Sequence, residues 1–319
     1  MKSPSSALSS GLLGVLFFAG SLPATRAAVL ELSPLFLTSA RAAIAALFAI
    51  TALTALRAKR PKAADLPRLG AVVAGAVFGF PLLSAMALRD VTAVHSIVFA
   101  AFLPVSTAIF SVVLGEPRPH PAFWAFAAMG TGVVLHYATS GGFAASGRAD
   151  LLLFIAVSLA GLGYAAGAQL ARRIGGWQVI SWALVGSLPV TASLALWNLP
   201  PNVGDVSLAA WAGLAYVSVF SMFVAFLFWY RGLALGGIAA VSQLQLLQPF
   251  LSLLIAAAVL AEPIDSAVWR VLAMLLLCVA GARRSTLSPA PTRAHAAPAA
   301  RAESPSAPPQ APRGRVLNG

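Results

Sequence analysis

The sequence PVSTAIFSVVLGEP occupies residues 104–117, and PFLSLLIAAAVLAEP occupies residues 249–263. Each copy is an apolar run with a proline at its start and a Glu-Pro pair at its end. The two prolines lie 145 positions apart, and the two Glu-Pro pairs lie 146 positions apart. Proline stops a helix and glutamate marks a polar boundary, so each run predicts a membrane-spanning helix that ends at Glu-Pro. Two copies at half the chain length indicate an internal repeat.

The composition of the whole chain supports a membrane location. Of 319 residues, 59% are hydrophobic and 9% are charged, and the mean hydropathy is +0.87. Ordinary soluble domains carry about 25% charged residues, so a soluble enzyme and a disordered chain are both excluded. The net charge of +12 does not indicate nucleic acid, because membrane proteins concentrate Lys and Arg in cytoplasmic loops. The single cysteine, Cys278, allows no internal disulfide.

Ten apolar runs are long enough to cross a bilayer as helices, which takes about 20 residues each. They are residues 10–29, 33–56, 69–88, 91–114, 121–138, 151–169, 177–198, 207–229, 236–260 and 266–282. Backbone groups in lipid must satisfy their own hydrogen bonds, so runs of this length predict helices and not barrel strands. We interpret the first run as an uncleaved span, with a signal peptide as the alternative. The predicted fold is an all-α polytopic membrane protein with ten transmembrane helices.

The basic residues predict the orientation, because cytoplasmic segments of membrane proteins are enriched in Lys and Arg. With ten crossings and a cytoplasmic N-terminus, sixteen of the 21 Lys and Arg fall on the cytoplasmic side and four fall outside. Both termini are therefore expected in the cytoplasm, and the protein is expected in a bacterial inner (plasma) membrane. Five spans per half is an odd number, so the two halves face opposite ways, as in the inverted repeats of secondary transporters.

The chain resembles the drug/metabolite transporter superfamily, and in particular its EamA-type members. The resemblance rests on the ten spans, the five-plus-five inverted repeat, the two Glu-Pro endings, and Pro34 followed by Arg41 in the second span. It divides the chain into a first five-helix repeat at 10–138 and a second at 151–282. Residues 283–319, rich in Pro, Ala, Ser and Arg, predict a disordered tail.

The resemblance implies a secondary transporter, an exporter or exchanger of a small metabolite such as an amino acid or an amphipathic compound, working by alternating access. A non-transporting membrane scaffold and an intramembrane enzyme are the alternatives. For the enzyme, the sequence lacks a recognisable nucleophile–base or His-Glu-x-x-His motif. No cofactor and no metal are expected. The expected partners are a small-molecule substrate and the lipid bilayer but not nucleic acid, and a homodimer is left open.

Polar residues inside the spans, with aromatic residues on the same helix faces, are the candidates for a substrate pathway, because polar groups are unfavourable in lipid. The candidates are Arg41, His95, Phe99, Phe102, Ser106, Tyr164, Gln169, Gln245, Gln248 and Ser252. Arg41 either has a structural role or binds an anionic group. His95 either packs through a hydrogen bond or takes part in proton coupling. The glutamines either line a cavity or bond to neighbouring helices.

Helical spacing places several of these candidates on shared faces. Three- and four-residue steps form two stripes, one with His95, Phe99, Phe102 and Ser106, and one with Gln245, Gln248 and Ser252. Both stripes are expected to face the interface between the two repeats.

Other residues within the spans give three smaller expectations. No Asp or Glu lies in the middle of a span, so coupling through a buried carboxylate is disfavoured. Gly70, Gly75 and Gly79 predict a third span that packs closely or bends. Trp229 and Tyr230, near the cytoplasmic end of the eighth span, are interpreted as an interfacial aromatic belt.

Overall fold

Helices form all the secondary structure of the described part of the protein. The structure, a computed structural model, describes residues 4–118, 120–139 and 147–287. The helices of the first half are α1 (Pro4–Ala19), α2 (Ser21–Val29), α3 (Pro34–Ala55), α4 (Leu66–Val72), α5 (Phe80–Asp90), α6 (Ala93–Ala100), α7 (Leu103–Val113) and α8 (Pro121–Thr139). Those of the second half are α9 (Gly147–Ile174), α10 (Gly176–Trp197), α11 (Leu208–Tyr216), α12 (Ala225–Gly236), α13 (Ile238–Ser242), α14 (Leu247–Leu260) and α15 (Ser266–Leu287).

Short segments of other helical types join some of these helices. The 3-10 turns are Ala63–Asp65, Val203–Asp205 and Gln243–Leu246. Two segments are π-helical: Val73–Gly79 between α4 and α5, and Val217–Val224 between α11 and α12. Segments of π-helix are rare and often mark functional sites.

Seven helical runs are long and apolar enough to cross a membrane. They are Ser6–Val29, Pro34–Ala55, Ala63–Asp90, Ala93–Val113, Gly147–Ile174, Gly176–Trp197 and Leu208–Gly236. The prediction of an all-helical polytopic membrane protein is confirmed at this level. The other three predicted spans contain α8, α13 with α14, and α15, and the full ten-span arrangement stays a prediction.

Local sequence explains where many helices begin and turn. The side chains of Ser33, Thr92 and Ser207 each accept a hydrogen bond from the backbone N–H three residues later, which caps α3, α6 and α11. Single glycines with positive φ connect two helix pairs: Gly175 (φ 96°) joins α9 to α10, and Gly237 (φ 84°) joins α12 to α13. Glycine adopts such a backbone without steric cost.

The fourth and ninth predicted spans are broken instead of continuous. Residues 101–102 separate α6 from α7, and the turn Gln243–Leu246 separates α13 from α14. Pro104 and Pro249 lie just after the two breaks. Proline has no backbone N–H and its ring clashes with the carbonyl four residues earlier, which favours a break in the helix at these points.

α9 runs along the middle of the bundle and packs against α4, α5, α6, α7, α10 and α12. Its contact with the first π-helical segment is made by backbone, because a Cβ atom at Gly163 would lie 2.9 Å from the Ala76 nitrogen. A Cβ atom at Gly79 would lie 2.7 Å from Leu159 on α9. The third span therefore packs closely at Gly75 and Gly79, as its glycines predict, whereas a Cβ at Gly70 would meet nothing within 4 Å.

Two expectations about the ends of spans need correction. Trp229 and Tyr230 are fully buried and do not form an interfacial belt, because α1 covers Trp229 and the Tyr230 hydroxyl donates to the Gly163 carbonyl at 3.1 Å. The predicted tail was expected to start at 283, but α15 continues to Leu287. The rest of that tail lies outside the described residues.

Candidate functional site

A small enclosed cavity lies where α2, α3, α9 and α14 meet the two π-helical segments. Its volume is about 20 Å³, which holds about one water molecule. The polar lining residues are Ser21, Arg41, Tyr164, Ser221 and Gln248. Much of the remaining lining is aromatic, with rings from Phe18, Phe80 and Phe226. A polar core with an aromatic surround is the usual composition of a small-molecule site.

The cavity is lined by equivalent positions of the two repeats. Three pairs of lining residues stand 145 positions apart, the spacing of the two repeat prolines: Ala76 and Ser221, Pro81 and Phe226, and Leu103 and Gln248. Ala76 and Ser221 also lie in the two π-helical segments. The cavity thus lies between the two halves of the sequence repeat.

Arg41 supplies the positive charge of the cavity. It projects from α3 and is 3% exposed. Its Nη2 donates to the Ser221 hydroxyl at 3.2 Å, and Ser221 in turn donates to the Ser21 hydroxyl at 2.9 Å. The Nε group of Arg41 is buried without a hydrogen-bond partner among the described residues.

None of the carboxylates in the described part of the chain pairs with Arg41. The three ion pairs found there are His95–Asp150, Arg172–Glu116 and Arg173–Asp65. The other described carboxylates accept backbone N–H groups or are exposed: Glu31, Asp90, Asp205, Glu262 and Asp265. A buried cation without a counter-charge is unfavourable, so Arg41 is a strong candidate for ligand binding.

Two buried amides lie next to Arg41 and Tyr164. Gln248 lines the cavity and is 5% exposed, and its Oε1 has no hydrogen-bond partner among the described residues. The Gln245 amide faces the Tyr164 hydroxyl and interacts with it, but neither its oxygen nor its nitrogen makes a hydrogen bond of regular geometry among the described residues. Buried polar atoms are nearly always satisfied in folded proteins. These atoms therefore offer a ligand both donors and acceptors.

His95 lies away from the cavity and contacts a carboxylate. Its Nε2 is 2.6 Å from Asp150 Oδ1, in the first turn of α9, and the two side chains are 3% and 15% exposed. Asp150 is a residue that sequence reasoning missed, since it stands just before an apolar run and is 55 positions from its partner. Asp150 lies at the start of α9 and not in the middle of a span, so the expectation that coupling through a buried carboxylate is disfavoured stays a prediction.

The predicted stripe on α6 and α7 runs along α9. The Phe99 ring contacts His95 at 5.5 Å, the Phe102 ring stacks on Phe154 at 5.5 Å, and the Ser106 hydroxyl donates to the Ser158 carbonyl at 3.2 Å. The stripe therefore faces the second half of the chain, as expected, but it does not line the cavity. In the other stripe, Ser252 donates to the Ala19 carbonyl at 2.7 Å and packs between helices.

Gln169 belongs to a polar cluster near the other end of α9. Its amide donates to the Leu114 carbonyl at 3.0 Å and to Glu116 at 3.1 Å, and its oxygen accepts from Arg68 at 3.2 Å. Glu116 also bonds Arg172. Gln169 lies nineteen positions after Asp150 on α9, about 28 Å along the helix. The Gln169 cluster is therefore far from the His95–Asp150 pair at the start of α9.

The second Glu-Pro pair caps a helix of the first half. Glu262 accepts the N–H groups of Ala93 at 3.1 Å and Val94 at 2.9 Å, at the N-terminus of α6. An anion is favourable there, because the first backbone N–H groups of a helix are unpaired and carry partial positive charge. Glu31 acts similarly at α11, where hydrogen bonds from the Ser207 hydroxyl and N–H lower the pKa of its carboxyl.

The structure thus gathers three of the predicted residues, Arg41, Tyr164 and Gln248, at the cavity, with Gln245 beside it. Sequence reasoning missed Ser21, Ser221 and the surrounding aromatic rings as site residues. Serine and phenylalanine are common in apolar spans, and only the 145-residue spacing from Ala76 could have singled out Ser221. Within the described residues, no group of three His, Cys, Asp or Glu side chains could hold a metal ion.

Comparison with known proteins identifies the class of the protein. The EamA-like transporter family matches residues 5–138 and 147–283, once for each half. The chain therefore belongs to the EamA-like transporter family. The uncharacterized transporter YdeK of Bacillus subtilis (strain 168) is 49% identical over 274 residues, which cover 86% of this chain and 96% of that protein.

A solved crystal structure shares the fold. It has a TM-score of 0.67 and 21% identity, and the alignment covers 89% of this chain and 98% of the solved chain. The family and the seven apolar helices make this chain an integral membrane protein of a transporter family. The resemblance drawn from the repeat is confirmed.

Proposed function

We propose that the protein is a secondary transporter that exports or exchanges a small metabolite, such as an amino acid or another amphipathic compound, by alternating access. The two halves, 10–138 and 151–282, are proposed to be inverted repeats of five spans each. The observation that carries the proposal is the cavity lined by equivalent positions of both halves. Secondary transporters bind substrate at such a repeat interface, often beside broken helices like those before Pro104 and Pro249.

The two Glu-Pro pairs make unequal contacts, which supports alternating access. Glu262 accepts the N–H groups at the start of α6. Its repeat counterpart, Glu116, contacts Gln169 and Arg172 on α9, and among the described residues no hydrogen bond joins it to the start of α13. Inverted repeats in the same conformation make the same contact at both ends. In the opposite state of the transport cycle we expect Glu116 to cap α13 and Glu262 to release α6.

Contacts between the segments that connect the spans fit the proposed orientation, with both termini in the cytoplasm of a bacterial cell. The ion pair Arg173–Asp65 joins two segments that the sequence assigns to the cytoplasmic side. Glu31 with Ser207 and Glu262 with Ala93 join segments assigned to the outside. These contacts are consistent with the sixteen-to-four distribution of basic residues.

The scaffold and enzyme alternatives account less well for the cavity. A scaffold gains no stability from a buried arginine without a counter-charge, since apolar packing in its place is often as stable or more stable. The serines of the cavity bond to Arg41 and to each other. The described lining residues include no His, Lys, Asp or Glu that could act as a general base to activate a serine.

Efflux from a sensitive host tests the proposal. Cells that express the protein are challenged with toxic amino acids, amino-acid analogues and amphipathic drugs, and growth rescue and intracellular accumulation are measured. We expect rescue by at least one compound class and its loss in Gln248→Leu. Gln178→Leu is the matched control, because Gln178 lies in the first turn of α10 and does not line the cavity.

Rescue in cells is then confirmed by counterflow of the radiolabelled compound in proteoliposomes that contain only this protein. Absence of flux for every compound in both assays, with the protein correctly inserted, contradicts the transporter proposal. Equal loss of rescue in Gln248→Leu and Gln178→Leu contradicts the assignment of the cavity as the site.

A further inference from the structure

We infer that the cavity binds the carboxylate of a small, singly charged acid with an apolar body, and that Arg41 is the residue that binds it. This inference rests on the proposed transport function and narrows its substrate class. It is argued from the charge, the free hydrogen-bonding groups and the lining of the cavity.

The charge balance requires an anion. Arg41 is almost fully buried, and guanidinium groups stay protonated in proteins. The described carboxylates are engaged in ion pairs and helix caps elsewhere or are exposed. A buried charge without a partner strongly disfavours the folded state. An anionic ligand supplies the missing partner.

The hydrogen bonds around Arg41 leave a donor free for that ligand, which binds in a state of the transport cycle in which the cavity, about 20 Å³ here, is wider. The Ser221 hydroxyl accepts from Nη2 of Arg41 and donates its own proton to Ser21. Ser221 is therefore fixed as a neutral acceptor and cannot neutralise the charge. The Nε–H group remains without a partner. Carboxylates are the ligands that suit the planar donors of a guanidinium, and charge-assisted bonds of this kind are the strong ones.

The rest of the cavity limits the ligand to one negative charge. Arg41 is the only Lys, Arg or His among the lining residues. A dianion such as a phosphate monoester would bring a second charge with nothing to balance it. The rings of Phe18 and Phe226, whose centroids lie 4.9 Å apart edge to face, offer the apolar part of the ligand an aromatic surface.

Ligand binding by the full-length protein, purified in detergent, tests the inference. Thermal unfolding is followed with phenylacetate, with its neutral isostere phenylacetamide, with the dianion phenyl phosphate, and with a panel of other aromatic and aliphatic monocarboxylates. We expect monocarboxylates to raise the melting temperature and to bind about tenfold or more tightly than their amides, since the amide loses a charge-assisted pair. Phenyl phosphate is expected to bind weakly.

The variant Arg41→Gln is expected to lose the preference for acid over amide. Arg26→Gln is the matched control, because Arg26 on α2 donates to a backbone carbonyl at Leu88 and is not part of the cavity. If Arg41→Gln does not fold, the comparison of acid with amide in the wild-type protein tests the inference by itself. Equal binding of acid and amide, no binding by any monocarboxylate at millimolar concentration, or an acid preference that survives in Arg41→Gln overturns the inference.

Flux in proteoliposomes separates this inference from the transport proposal. If the protein transports neutral or cationic compounds and Arg41→Gln transports them equally well, the carboxylate site is wrong and the transporter stands. If the acids bind through Arg41 but no compound crosses the membrane, the site stands and the transport proposal fails.

Discussion

Glu262→Gln is predicted to weaken the contact between Glu262 and the start of α6, and so to favour a state in which that end of the bundle is open. Each oxygen of the Glu262 carboxylate accepts one backbone N–H of α6, at 3.1 and 2.9 Å. Glutamine has a single acceptor oxygen and no charge, so the variant keeps at most one of the two bonds and loses the favourable charge at the helix N-terminus.

The expected magnitude follows from these bonds. A hydrogen bond to a charged group contributes about 1.5–3 kcal/mol, which corresponds to about a ten- to hundredfold change in an equilibrium. Glu262 is half-buried, so solvent screening favours the lower end of that range, about tenfold. The loss falls only on the conformation in which α6 is capped, and the conformational equilibrium shifts by the same factor.

Cysteine accessibility measures this shift. In a background with Cys278→Ala, the cavity residue Ser21 is replaced by cysteine, which differs from serine by one atom. Its rate of modification by a membrane-impermeant thiosulfonate added outside the cell is expected to rise about tenfold in Glu262→Gln, the same factor as the equilibrium.

Glu31→Gln is the matched control for this experiment. Glu31 also caps a helix, but at α11 through Ser207, so its removal should leave the accessibility of the cavity nearly unchanged. A modification rate in Glu262→Gln that equals the rate in the control, or falls below that of the parent protein, refutes the role of Glu262 in closing this end.

Three further predictions concern the stability of the fold. The pKa of Glu31 is lowered in the folded state, so its carboxylate stabilises the protein fully at a pH above the ordinary glutamate pKa of 4.5. This contribution is lost as the pH falls through the lowered pKa of the folded state. The difference in melting temperature between the wild-type protein and Glu31→Gln should therefore shrink as the pH is lowered. His95→Gln and Asp150→Asn are each expected to reduce stability by about 1.5–3 kcal/mol, and the double variant by less than the sum; additive effects would show that the pair does not interact. Gly163→Ala is expected to cost about 1–3 kcal/mol through overpacking, measured by denaturant titration, whereas Gly70→Ala, with open space around it, should be neutral or stabilising.

Features of the fold that depend on local patterns could be predicted from the sequence. The apolar runs located the helices, and the repeat of Pro104 and Glu116 at Pro249 and Glu262 identified the family. The same prolines could have indicated the breaks in the fourth and ninth spans, because each removes a backbone N–H from the helix. Hydropathy alone treats such a run as one helix.

The candidate site was predictable only where a residue is chemically unusual for its span. Arg41 is a charge in an apolar run, and Gln248 is an amide in one, so both stood out. Ser21 and Ser221 did not, because their role depends on a contact 200 positions apart. Asp150 was missed for the same reason. Trp229 and Tyr230 were misplaced because hydropathy does not distinguish a residue packed against protein from one at the membrane surface.

The glycine contact between α9 and the first π-helical segment has a consequence for how the halves move. Side chains that interlock must change rotamer when two helices shift past each other, and close-packed side chains resist this. At Gly163 and Ala76 backbone meets backbone, so the helices can tilt there with little repacking. If the protein works by the proposed alternating access, this contact is where the two halves would pivot, and enlarging Gly163 would then slow transport as well as weaken the fold.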